Sequence, residues 1–204
     1  MELRKKKEEN CLTPYLQCTD IGNLYSYLAY KRDTQFFIGF TVGKWNDETC
    51  HAFYAVLASR LRFPTRKRKL TIYTDGNKQN VTAIAMHWHT DAVRYGLRKK
   101  IKINQKIVGV VNETIFGNPA LDKIGITQID GFCSKLRERI SCFTRKARSF
   151  AKHKTGLENR LEIFSVQHNF MEKKKRKTPA IREAITSKIW DWSQVLHRRL
   201  SYLN

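Results

Sequence analysis

The stretch from Ile124 to Lys154 constrains this chain most. Its apolar residues Phe132, Leu136, Ile140, Phe143, Ala147 and Phe150 recur at helical spacing, which predicts a long amphipathic helix with one stripe turned into a core. The remaining positions carry Lys135, Arg137, Arg139, Arg145, Lys146, Arg148 and Lys152 against one carboxylate, Glu138, so almost every solvated position is a cation. Asp130 falls in the first turn, where a carboxylate is stabilised by the helix dipole. From the pattern alone, a solvated basic face with Asp130 as its cap stands beside a functional reading of the same residues.

Charge is the informative part of the composition. With 39 Lys+Arg against 18 Asp+Glu, the 204-residue chain carries a formal net charge of +21. That excess implies a polyanionic partner, with nucleic acid first and an acidic membrane surface second. No run approaches the roughly 18 apolar residues that a spanning helix needs. The charged start, Met1-Glu2-Leu3-Arg4-Lys5-Lys6-Lys7, is followed by no apolar segment, so it does not read as a signal peptide and a cytoplasmic protein is expected. Cys11, Cys18, Cys50, Cys133 and Cys142 are odd in number and show no Cys-x-x-Cys spacing, which argues for reduced thiols over a disulfide framework or a closed zinc site. His87 and His89 flank Trp88, but no cysteine or carboxylate completes a zinc set at a recognisable spacing.

Local patterns place the elements. Residues 1–13 read as a charged loop, Leu24–Tyr30 and Phe36–Gly43 as two strands joined by a turn at Arg32-Asp33-Thr34, and Asn46 or Asp47 as the cap of a helix to about Leu61. Ala52, Val56, Leu57 and Leu61 are its expected inward positions. Leu70-Thr-Ile-Tyr-Thr-Asp75-Gly76 reads as a buried strand that delivers a carboxylate to the edge of a sheet and then turns, although Asp-Gly alone is also an ordinary turn. Val81 to about Trp88 is predicted helical, Ile101–Val111 a strand, and Asn112–Gly125 loop-rich. The separation of 55 positions between Asp75 and Asp130 leaves room for a small insertion. A helix over Leu157–Phe170, a cationic linker at Glu172–Lys177 and a helical region opened by Thr178-Pro-Ala180 complete the chain.

Several of these segments together resemble a known family. The run Thr127-Gln-Ile-Asp130, Leu136-Arg137 with Arg139, Arg145-Lys146 and Ser149-Phe150-Ala151-Lys152 is similar to the third-carboxylate helix of the insertion-sequence-one family of DDE transposases. That helix typically reads Thr-x-x-Ile-Glu, Leu-Arg, Arg-Lys-Thr and Ser-Phe-Ser-Lys. Asp75 stands in a Thr-Asp-Gly strand end like the one that holds the family's second catalytic Asp, and His168-Asn-Phe and Thr178-Pro-Ala resemble its C-terminal end. The resemblance covers roughly residues 24–200.

It implies an α/β, ribonuclease-H-like fold: a mixed sheet flanked by helices over residues 24–170, with an N-terminal segment at 1–23 and a C-terminal basic linker and helix at 171–204. It also implies a DNA transposase whose Asp75 and Asp130 hold Mg²⁺ or Mn²⁺ for strand cleavage and transfer. Asp130 replaces the family's usual Glu and is one methylene shorter. The family's first acid sits in an Asp-Glu-x-Trp strand that has no counterpart before Leu24. Asp20 is the sole candidate here, and the expectation is that the first strand lies upstream of Met1, with Tyr15–Thr19 as a poor substitute. Zinc-binding and helix-turn-helix regions have no counterpart either, so DNA binding is expected to be electrostatic, through Lys135, Arg137, Arg139, Arg145, Lys146, Arg148 and Lys152. The implied protein forms homo-oligomers on DNA, away from membranes and at the nucleoid. Two other classes account for the charge: a non-catalytic nucleic-acid-binding remnant, and a ribosomal or RNA-binding protein.

Overall fold

The computed structural model describes residues 2–4, 23–104, 106–144 and 153–197. Strands β1 (Glu2–Arg4), β2 (Asn23–Tyr30) and β3 (Phe37–Gly43) form an antiparallel sheet in the order β1-β2-β3. Helix α1 (Asp47–Arg60) follows, then β4 (Leu70–Asp75), α2 (Gln79–His87), β5 (Val93–Ile103) and β6 (Lys106–Phe116). These last three strands form a second sheet in which β4 runs parallel to β5 and β5 antiparallel to β6. Helices α3 (Thr127–Arg139), α4 (Lys154–Val166), α5 (Pro179–Arg182) and α6 (Trp192–Leu196) complete the mixed α/β architecture.

The predicted hairpin and its turn lie where the alternation put them, and the helix after it is capped by Asn46, whose side chain accepts from the Thr49 N–H at 3.0 Å. Helices cover both faces of the β2–β3 pair. On one face Leu24, Phe37 and Val42 meet Phe132, Leu136, Ile140 and Phe143, together with Leu157, Leu161 and Phe164 of α4. On the other, Tyr27 joins Cys50, Phe53, Tyr54 and Leu57 of α1, Ala83 and Ile84 of α2, and Val93, Tyr95 and Leu97 of β5. Tyr27, with Ala29 and Ile38 packed beside it, thus carries the first sheet into the core of the second. Each fully buried large side chain contributes about 1.5–3 kcal/mol, so these two clusters hold the fold.

Five expectations are corrected. Among the described residues there are two three-stranded sheets in place of one mixed sheet, and no strand pairs with both β2 and β4. Within the charged segment 1–13, Glu2–Arg4 is a strand beside β2, in the register Leu3↔Leu24, whereas Tyr15–Thr19 lie outside the described residues. The inward stripe of α1 is Cys50, Phe53, Tyr54 and Leu57, and Ala52 is exposed, because the two aromatics have far more apolar area to hide than Ala52. The long helix stops at Arg139. Ile140 is extended, a 3₁₀ turn covers Ser141–Phe143, and the Thr144 hydroxyl donates to the Arg137 carbonyl at 2.9 Å. β-Branched and hydroxyl residues disfavour a helix interior and satisfy its open carbonyls, and the break still leaves Phe132, Leu136, Ile140 and Phe143 inward as expected, with Ala147 and Phe150 outside the described residues. Finally, Val93–Ile103 and Lys106–Phe116 are the two strands of a long antiparallel ribbon, in place of one strand over Ile101–Val111 and a loop-rich segment from Asn112.

Beyond α4 the chain folds back on the first sheet. Asn169 is buried, and its side-chain amide accepts from the Phe37 N–H and donates to the Phe37 carbonyl, both at 2.9 Å, so it completes the outer edge of β3 as a neighbouring strand would. Phe170 stacks on Trp190 with ring centroids 4.3 Å apart, buried Thr178 caps α5, and Glu183 pairs with Lys31 at 2.8 Å. The His-Asn-Phe and Thr-Pro-Ala segments are therefore structural fasteners.

Candidate active site

Asp75 is the last residue of β4, and its carboxylate is exposed. The Thr74 hydroxyl shares a 2.8 Å hydrogen bond with the Tyr95 hydroxyl, which pins the strand end to β5. One Asp75 oxygen receives the Asn77 N–H at 3.4 Å, and Asn77 in turn accepts the first N–H of α2, from Gln79, at 3.2 Å. The other Asp75 oxygen has no partner among the described residues. Burial raises the Tyr27 and Tyr95 hydroxyls to about 12, with the Asp75 charge acting in the same direction, so both stay protonated beside the carboxylate.

Asp130 is reached through Arg32. The Arg32 guanidinium donates to the Lys123 and Gly125 carbonyls at 2.8 and 2.9 Å and lies 4.6 Å from the centre of the Tyr73 ring on β4. It thereby ties the lead-in to α3 against the strand that ends in Asp75. Asp130 occupies the first turn of α3, exposed, with its backbone N–H bonded to the Ile126 carbonyl at 2.9 Å. Burial raises the Cys133 thiol, Arg137 opposes, and the charges of Asp130 and Asp75 add to the rise. Asp20 lies outside the described residues.

Oxygen donors alone, with a thiol kept protonated beside them, suit a hard divalent cation. Among the described residues no group of three or more His, Cys, Asp or Glu side chains is arranged to hold a metal.

The expected cationic face of α3 is placed differently from its sequence pattern. Lys135 donates to His168 Nδ1 at 2.9 Å and pairs with Glu172, and Arg139 reaches the same carboxylate at 3.2 Å. Arg137 is half-buried, and its Nε is buried without a partner among the described residues. Arg145, Lys146, Arg148 and Lys152 lie outside the described residues. Lys135 and Arg139 therefore dock α3 onto the end of α4 and are not free phosphate ligands. The i, i+4 spacing of His168 and Glu172 was the one available signal for this cluster, and it is a weak one.

The cluster makes stability pH-dependent. His168 receives Lys135 at Nδ1 and donates Nε2–H to the Gln35 carbonyl at 2.9 Å, so it is neutral. Burial holds its pKa below the ordinary 6.5, partly countered by the bond to Gln35. Burial works to raise the Glu172 carboxyl, but Lys135, His168 and Arg139 outweigh it and keep the pKa below the ordinary 4.5. Both folded values are depressed. Stability from His168 is present above 6.5 and lost as pH falls below it, and that from Glu172 is lost below 4.5. Urea midpoints should therefore fall between pH about 7.5 and 5, and the His168→Gln protein should lose the upper part of that dependence.

Among the described residues no helix is long and apolar enough to cross a membrane. Comparison with models of protein families, with curated proteins and with solved structures finds no match to this chain.

Proposed function

We propose that this chain is a DNA-processing protein of the DDE transposase type, with a ribonuclease-H-like catalytic domain in which Asp75 and Asp130 hold Mg²⁺ or Mn²⁺. The observation that carries the reading is the Arg32 tie between the lead-in to α3, whose first turn bears the exposed Asp130, and β4, which ends in the exposed Asp75. Helices on both faces of the β2–β3 pair and the parallel β4–α2–β5 unit support the fold. The sequence resemblance and the net charge of +21 support the substrate.

A divalent ion held there would polarise the phosphodiester and lower the pKa of an attacking water or 3′-hydroxyl. The chain's own contribution is position. The Asn77 N–H orients Asp75, the Thr74–Tyr95 pair fixes the strand end, and Arg32 holds the entry of α3 against the Tyr73 ring of β4. In cleavage, water adds to phosphorus and the 3′ oxygen leaves with a proton; in transfer, that hydroxyl attacks a phosphorus of a second strand, whose own 3′ oxygen leaves and takes up the proton.

The test is nicking of supercoiled DNA with Mg²⁺ or Mn²⁺ against EDTA. Metal-dependent nicking is expected, and its absence from a folded protein that still binds DNA would favour a non-catalytic, nucleic-acid-binding remnant. The lack, among the described residues, of any group of three or more His, Cys, Asp or Glu side chains arranged to hold a metal is what favours that second reading.

A further inference from the structure

We propose that the β5–β6 ribbon is an arm that enters the major groove of duplex DNA and leads it to the Asp75 end of β4. This proposal rests on the DNA-processing reading above and adds the surface that grips the substrate. Strand β5 pairs with β4 from Val93 to Arg98 on one edge and with β6 on the other. Beyond Arg98 it has no described partner on the β4 side, so residues 99–103 and 106–111 stand as two strands alone. Five residues of strand extend roughly 17 Å.

An isolated two-stranded ribbon is marginal in water, and this one exposes Ile103, Ile107 and Val108 to more than half of their full area. Such a surface is a liability unless something covers it. Charge selects the occupant. From Val93 to Phe116 there are six cations, Arg94, Arg98, Lys99, Lys100, Lys102 and Lys106, and one acid, Glu113. A second copy of a chain with net charge +21 would be repelled, whereas a phosphate backbone is attracted and releases counterions.

Geometry narrows the polyanion to DNA. A major groove about 12 Å wide admits a two-stranded β-ribbon, while that of an RNA duplex is too deep and narrow. Arg98 and Lys100 alternate onto one face about 7 Å apart, a spacing suited to successive phosphates, and Lys102 follows beyond the irregularity in the ladder at Ile101/Lys102. The aliphatic residues of β6 can then meet the apolar base edges. The arm is rooted at the candidate carboxylate: Asp75 is in register with Arg98, and a Cβ on Gly76 would stand 3.3 Å from Lys99 Cγ.

The experiment measures anisotropy of a labelled duplex with the full chain in EDTA, so that no chemistry is needed. Lys100, Lys102 and Lys106 are replaced together by Ala in one variant and by Arg in another. The Ala variant should bind at least about tenfold more weakly, with its log–log salt slope reduced by about 2 to 3, and the Arg variant should retain the slope. Methylating guanine N7 in the duplex should weaken wild-type binding. An unchanged slope in the Ala variant, indifference to N7 methylation, equally tight binding of duplex RNA, or an altered oligomeric state with unaltered DNA binding would each overturn the arm. Loss of metal-dependent nicking with arm-dependent binding intact would overturn the catalytic reading alone.

Discussion

Asp75→Asn and Asp130→Asn proteins are expected to nick DNA about 10³-fold more slowly than wild type in Mg²⁺, with folding unchanged. The magnitude follows from the several kcal/mol that a correctly held divalent ion contributes to phosphoryl transfer, at 1.36 kcal/mol per tenfold. Folding should be unaffected because both carboxylates are exposed, and Asn at position 75 can still receive the Asn77 N–H through its carbonyl oxygen. Binding of duplex DNA in EDTA should change little, because removing a carboxylate removes repulsion of phosphate and adds no contact. Nicking by either variant within about threefold of wild type, at equal secondary structure by circular dichroism, would remove these two residues from the site.

Asn169→Ala is expected to cost about 3 to 4 kcal/mol of stability. The side chain supplies both an acceptor and a donor to the backbone of Phe37 in a site where Asn169 is 2% exposed. Its removal leaves a buried N–H and a buried carbonyl unpaired, at about 1–3 kcal/mol each. For a domain of this size that lowers the melting temperature by roughly 6–15 °C, and it consumes a large part of the 5–15 kcal/mol typical of a whole domain. Ser59→Ala is a suitable control, since that exposed hydroxyl bonds only to the Val56 carbonyl among the described residues. A loss below about 1 kcal/mol for Asn169→Ala would mean that water replaces the amide at the β3 edge and that the His-Asn-Phe segment is not a fastener.

The arm and the candidate carboxylates bear on one another. Lys135 and Arg139 look solvated in the sequence yet turn to Glu172, while the ribbon beside Asp75 exposes Lys99, Lys100, Lys102 and Lys106. Basic surface is thereby moved from the α3 face to the end of β4. A polyanion held by the ribbon would lie against the strand end.

What the sequence determined by itself is what depends on near neighbours. Period-2 alternation located β2 and β3, Asn46 and Thr178 announced helix starts through a side-chain oxygen three residues ahead of an N–H, and the apolar spacing of Phe132, Leu136, Ile140 and Phe143 named inward residues that are all buried. The strand ending at Asp75 was likewise legible from its β-branched run and the turn after it, although it was read as buried and is a half-buried edge strand among the described residues. Tertiary structure decided the rest. The break at Ile140 keeps the same inward stripe on a bent path, so periodicity could not reveal it. The pairing of Lys135 and Arg139 with Glu172 spans 37 and 33 residues, and no local pattern distinguishes a solvated cation from one whose partner arrives from a later helix. The ribbon beyond Arg98 was read as one strand and a loop-rich segment, because its second strand is recognisable only once β5 is there to pair with it. Local signals choose an element and its buried face; which elements meet, and which charges are consumed when they do, is set by contacts between residues far apart in the chain.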